Sequence, residues 1–125
     1  MKNLCLFAAL LLLFSCNSRK NILVQSPDGK ISVNFGVNDS TAIFYSIQTE
    51  GKEVVKPSPM GFDFGEAPGF GENLKIESVA ETEVNQSWTP VYGERIEIPD
   101  HYRQVLIRLK ETTAPEREFE VTFRV

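Results

Sequence analysis

Among its 125 residues the chain has one histidine, one tryptophan, two cysteines and two methionines, and 13 Lys and Arg stand against 17 Asp and Glu. Each shortage excludes a class of function. With His101 as the only imidazole and Cys5 and Cys16 as the only thiols, a zinc site of the usual Cys/His kind cannot be assembled. A net charge of −4 leaves no basic footprint for a phosphate backbone, so nucleic acid is not an expected partner. A complete (β/α)8 barrel takes about 250 residues and does not fit in this length. There is no Gly-x-Ser-x-Gly elbow for a hydrolase serine. Gly65, Gly69 and Gly71 lie in a Pro-containing loop without the strand-to-helix context of a phosphate-binding turn. Glu66, Glu72, Glu77, Glu81 and Glu83 lack the spacing of a calcium loop and read as a solvated face.

The one long apolar run, residues 4–14, has 11 residues, well short of the about 20 that cross a bilayer as a helix. Behind the positive Lys2 it reads as an export signal. It ends in Leu13-Phe14-Ser15-Cys16, which resembles the lipobox of bacterial lipoproteins. That resemblance implies cleavage before Cys16 and acylation of its sulfur and new amino group. Several acyl chains bury far more CH2 groups than one marginal chain does, so the anchor would be stable. The expected organisation is a lipoprotein signal peptide at 1–15, a polar tether at 16–21 and a folded domain at 22–125. The expected location is periplasmic, tethered to the inner face of the outer membrane, because no acidic run follows Cys16. Cys5 leaves with the signal and Cys16 is acylated, so no disulfide framework supports the fold. Its stability must come from a hydrophobic core.

Past the tether the apolar period is two. Ile31, Val33, Phe35 and Val37 alternate with smaller or polar residues, as do Ile43, Tyr45 and Ile47. The pattern recurs at Met60, Phe62 and Phe64, at Leu74 and Ile76, at Ile96 and Ile98, at Val105, Ile107 and Leu109, and at Phe119, Val121, Phe123 and Val125. Alternation of this kind marks strands buried on one face. Turn chemistry separates the runs at Ser26-Pro27-Asp28-Gly29, Asn38-Asp39-Ser40, Glu50-Gly51-Lys52, Ala67-Pro68-Gly69 and Thr112-Thr113-Ala114-Pro115. No later stretch carries a helical stripe free of Pro and Gly. The prediction is an all-β fold, with eight or nine short strands forming an antiparallel β-sandwich. The final alternation still runs at Val125, which suggests the front portion of something longer.

One segment differs from generic strand and turn. Trp88-Thr89-Pro90-Val91-Tyr92-Gly93-Glu94, followed by Asp100-His101-Tyr102, gathers the only Trp, the only His and two of the three Tyr. Aromatic rings beside a carboxylate suit sugars, whose C–H faces stack while their hydroxyls bond to polar groups. Trp88 and Tyr92 would equally serve as core or rim aromatics. Glu94, His101 and Tyr102 suit a ligand or a neighbouring domain. All five are candidates for carbohydrate or inter-domain contact. No catalytic pair of carboxylates is discernible.

Taken in order, Ser26-Pro27-Asp28-Gly29, Val55-Lys56-Pro57-Ser58 with Met60-Gly61, the Trp88–Glu94 block, His101-Tyr102 and Phe123-Arg124-Val125 closely resemble the amino-terminal domain of glycoside hydrolase family 97. The Trp-x-Pro-Val-x-Gly-Glu block is the most specific part. The sequence departs from the family pattern at Pro99-Asp100 and at Arg103-Gln104. The resemblance implies part of a galactose-mutarotase-like super-sandwich that supports a (β/α)8 barrel and shapes its active-site rim in an exported α-glucosidase or α-galactosidase. It implies calcium for the whole enzyme, held mainly by barrel glutamates outside this sequence, and none for this chain. The catalytic carboxylates also lie on the barrel, so hydrolysis is not expected of the chain alone. An alternative expectation is an envelope lipoprotein that acts as a structural or interaction module through its open sheet edge.

Overall fold

The computed structural model describes residues 21–125, and among these it contains nine strands and no helix. The expected signal peptide, Cys16 and most of the tether lie outside the described residues. Asn21, placed in the tether by the sequence, is instead the first residue of β1. In chain order the strands are β1 Asn21–Gln25, β2 Ile31–Val37, β3 Ile43–Thr49, β4 Lys52–Pro59, β5 Phe62–Phe64, β6 Ala67–Phe70, β7 Leu74–Trp88, β8 Ile98–Glu111 and β9 Glu118–Arg124. They form a four-stranded sheet β1-β2-β3-β4, a small hairpin β5-β6 and a three-stranded sheet β7-β8-β9, with antiparallel pairing throughout.

The first hairpin follows directly from its turn. Gly29 takes a φ of 72°, which costs a glycine nothing sterically. The Ser26 hydroxyl donates to Asp28 at 2.7 Å and accepts the Ile31 N–H at 3.0 Å, so the turn fixes the register of β1 on β2. Alternate residues of that hairpin then face inward: Ile22, Val24, Val33 and Phe35 are buried. Ile31, expected in the same stripe, is exposed at the margin.

The two larger sheets stack face to face and share one core. Ile22, Val24, Val33, Phe35 and Ile43 come from the first, and Leu74, Val105, Ile107, Leu109 and Val121 from the second, with Phe70 between them. Phe35 on β2 meets Phe123 on β9 with ring centroids 5.5 Å apart. Burying such a side chain contributes roughly 1.5–3 kcal/mol, which is how the described residues, none of them a cysteine, hold two layers together. Backbone bonds tie the layers at one end: Ile43 donates to Gly71, Met60 to Ile43, and Leu74 to Thr41. Gly71 sits there at a φ of 146°, and a side chain on it would start 2.8 Å from the Met60 carbonyl oxygen.

Three local expectations are corrected. Ala67, Pro68 and Gly69 are strand β6 rather than a turn, and the reversal falls at Gly65 and Glu66, where Gly65 has the positive φ. Lys52 opens β4 rather than closing a turn; this edge strand shows no alternation because it is mostly exposed and its pairing with β3 is bulged. Ile96 is not in a strand and is 87% exposed, because β8 begins only at Ile98. The largest omission is β7, whose 15 residues continue far beyond Leu74 and Ile76. From Ser78 to Trp88 it pairs regularly with β8, and this hairpin extends past the core as an arm.

Candidate functional site

The arm and its tip carry the candidate residues, and strand alternation determines which of them meet. The register from Ser78↔Arg108 to Trp88↔Ile98 is unbroken, so even-numbered residues of both strands share one face and odd-numbered residues the other. Trp88 and Tyr102 therefore lie on one face, while His101 lies on the face that continues the core layer beside Arg103 and Val105. Tyr92 and Glu94 belong to neither face. They sit in the irregular connection at 89–97, where Tyr92 is 89% and Val91 99% exposed. The five candidates for carbohydrate or inter-domain contact, Trp88, Tyr92, Glu94, His101 and Tyr102, thus lie on the arm and its tip but not on one face. Proximity in sequence put them together, and a two-residue period separates neighbours such as His101 and Tyr102.

Each face has its own polar arrangement. On one, Glu83 accepts hydrogen bonds from His101 Nε2 and from Arg103 Nε, both at 2.9 Å. These two bonds, His101 first and Arg103 second, hold the Glu83 carboxyl below the usual range. On the other, the Arg124 guanidinium from β9 lies 4.3 Å above the Tyr102 ring and donates to Gln104 at 2.9 Å. Gln86 donates to Asp100 at 3.0 Å, and Ser87 bonds to Glu97 at the base of the tip. Trp88, Val91, Tyr92 and Ile96 remain as exposed apolar side chains at the end of the arm.

A second constellation escaped the sequence. Glu111, at the end of β8, is 7% exposed, and Arg117 grips it from across the β8–β9 turn. Arg117 donates from Nε at 3.0 Å, from Nη2 at 2.6 Å and from its backbone N–H at 2.9 Å. The same guanidinium donates to the Pro68 and Gly69 carbonyls at 2.9 and 2.7 Å and lies over the Phe70 ring at 5.4 Å. Hydrogen bonding from Arg117 pushes the Glu111 carboxyl down, against the opposing effect of its desolvation. Beside this pair lies a depression of about 640 Å³ bounded by Met60, Phe62, Phe70, Glu111, Pro115 and Arg117. With four guanidinium bonds already made inside the protein, Arg117 joins β6 to the β8–β9 turn. The only signal in the sequence was a Glu and an Arg flanking the 112–115 turn, which many surface turns share.

The chemistry follows from these pairings. Glu83 and Glu111, the best-organised carboxylates, are both shifted downward, opposite to what a general acid at neutral pH needs. Both are also bonded to cations of the chain itself, unlike a pair left free to flank a glycosidic bond. Among the described residues, no group of three or more His, Cys, Asp or Glu side chains is placed to hold a metal ion. No helix among the described residues is long and apolar enough to cross a membrane.

The geometry defines a class: an antiparallel strand module with one shared core and a long projecting hairpin, lacking an assembled catalytic centre among its described residues. Residues 24–125 match the family described as glycosyl-hydrolase 97 N-terminal, and the chain belongs to it. Over 119 residues it is 25% identical to a retaining alpha-galactosidase of Bacteroides thetaiotaomicron, covering 95% of this chain and 17% of that enzyme. A glycoside hydrolase family 97 enzyme from Pseudoalteromonas sp. strain K8, solved in complex with panose and with acarbose, superposes with a TM-score of 0.76 at 29% identity. That match covers 82% of this chain and 15% of the enzyme. A beta-arabinopyranosidase shares the fold with a TM-score of 0.70 at 21% identity. The chain therefore spans less than a fifth of the relatives it matches.

Proposed function

We propose that this chain is the non-catalytic amino-terminal module of an exported family 97 glycosidase acting on α-glucosides or α-galactosides. In this reading it is anchored through Cys16 on the periplasmic side, and it supports a (β/α)8 barrel while shaping the approach to its active site. The observation that carries the reading is the family match across residues 24–125. The arm supports it, because Trp88, Val91, Tyr92 and Ile96 expose apolar surface at the far end of a regularly paired hairpin. Carbohydrate is the partner of the whole enzyme, and calcium belongs with the barrel.

Three measurements test this. The chain alone releases no aglycone from aryl α-glucosides or α-galactosides, with or without calcium; turnover by the chain alone would defeat the proposal. When the module is joined to a family 97 barrel, Tyr92→Ser together with Ile96→Ser lowers kcat/KM by about tenfold, the cost of misplacing a substrate-positioning surface. Unchanged kinetics would remove the arm from the active-site approach. Mass spectrometry finds Cys16 acylated at the amino terminus of the processed chain, and recovery with residues 1–15 attached would exclude the anchor.

A further inference from the structure

The two faces of the β7–β8 hairpin exchange character along its length. Near the sandwich the inner face is apolar, with Val79, Val105, Ile107 and Leu109 turned to the core, and the outer face is charged. There Arg108 pairs with Glu120 at 2.7 Å and Lys110 with Glu118 at 3.6 Å, a surface suited to water. Along the arm the inner row becomes Glu81, Glu83, His101 and Arg103. The outer row turns apolar over the same stretch, where Ala80 faces Leu106, Val84 faces Tyr102 and Trp88 faces Ile98. Between these pairs lie Thr82 with Gln104, and Gln86 hydrogen-bonded to Asp100.

A strand pair that needed only its ladder would be polar on both faces towards the tip, because an apolar side chain left in water contributes nothing. This one exchanges one apolar face for the other. Four residues separate successive apolar pairs, so at about 3.3 Å per residue the row from Ala80 to Trp88 extends roughly 26 Å. That is the dimension of a packed layer of protein rather than of a sugar ring. The composition agrees, since Ala80, Val84, Ile98 and Leu106 are aliphatic and Tyr102 already carries the Arg124 guanidinium 4.3 Å above its ring. The row is short of aromatic faces on which a sugar would stack. Val84, Ile98, Tyr102 and Leu106 are only half-buried by this chain, which covers 17% and 15% of two relatives it matches. Most of such a polypeptide lies outside it.

We propose that the outer face of the arm, from Ala80 and Leu106 to Trp88 and Ile98, is the seat on which the rest of the parent polypeptide packs through an apolar surface. The inference rests on the reading of the chain as the amino-terminal module of a longer glycosidase, and it adds which face makes the contact. The test is thiol labelling, located by peptide mass, of Val84→Cys on the outer face and Asn85→Cys on the inner face. Each variant is compared as this chain and as the chain joined after Val125 to the part of the Pseudoalteromonas enzyme that follows its matched region. Joining slows labelling of Val84→Cys by about tenfold, because a covered thiol is out of reach, and leaves Asn85→Cys unchanged. Val84→Ser with Ile98→Ser lowers the thermal midpoint of the joined polypeptide and shifts that of the chain by much less. Turnover of aryl α-glucosides or α-galactosides shows that the joined polypeptide is assembled. Turnover with Val84→Cys labelled as fast as in the chain, or with Asn85→Cys slowed equally, overturns this assignment and leaves the module reading standing. A joined polypeptide without turnover defeats the module reading, and this assignment with it. Slowing of Val84→Cys in the chain itself, on raising its concentration or on adding panose, would give the face to a second copy or to a sugar and overturn the proposal.

Discussion

The sandwich and the arm are made from the same two strands and obey opposite rules. Where the first half of β7 pairs with the second half of β8 they face β1 and β2, and Leu74, Val105, Ile107 and Leu109 are buried. Towards the arm tip the same ladder outruns the facing sheet, and the core-facing row changes to Glu81, Glu83, His101 and Arg103, beside the end of β1 and the first hairpin turn. A hydrogen-bonded ladder is therefore sufficient to continue a strand, whereas a facing layer is what makes its residues apolar. The arm is held by cross-strand pairs such as Glu83 with His101 and Arg103, and the sandwich by removal of side chains from water.

That contrast is sharpest where a cavity is opened. Ile107→Ala, at 0% exposure, is expected to lose about 2–5 kcal/mol of stability in denaturant titration. A loss comparable to an arm substitution would mean that the sheets do not share a core. Glu111→Gln should come next, since it leaves the Arg117 guanidinium beside a neutral partner at the junction of β6 with the β8–β9 turn. Its thermal midpoint at pH 7 falls by less than that of Ile107→Ala and by more than that of Glu83→Gln, whose exposed pairing is screened by solvent.

Acid separates the two regions in a defined direction. Both Glu83 and Glu111 have folded values below the ordinary 4.5, so their stabilisation is complete above 4.5 and is lost as the pH falls through the lower folded values. Thermal midpoints of the parent should decline below pH 4.5, and Glu111→Gln should flatten that decline. An unchanged slope in the variant would show that other carboxylates govern acid sensitivity. Smallest of all, Tyr92→Ser alters stability by no more than about 0.5 kcal/mol, because an exposed side chain at the arm tip supports nothing in the folded chain.

Much of the sandwich was legible because its strands are half buried. Val33 and Phe35, Val105, Ile107 and Leu109 advertise their buried face by period, and Asp28-Gly29 identifies the hairpin that starts the fold. The arm was illegible for the converse reason: 77–88 is exposed on most positions, so nothing selects apolar residues at every second place. The candidate site suffered from this directly. Trp88, Glu94 and His101 cluster in sequence, but whether they meet depends on which of two faces each occupies and on where the 89–97 connection turns.

The order of residues by itself determined the strand periodicity, the turn chemistry and the absence of residues for a zinc or phosphate site, because these depend on local sterics and on inventory. Only the tertiary structure decided that Arg117 would reach Glu111 and the Pro68 and Gly69 carbonyls, and that the face carrying His101 would be the one that continues the core layer. Those outcomes depend on which sheet is stacked on which, and contacts between residues distant in sequence leave no periodic trace in the chain.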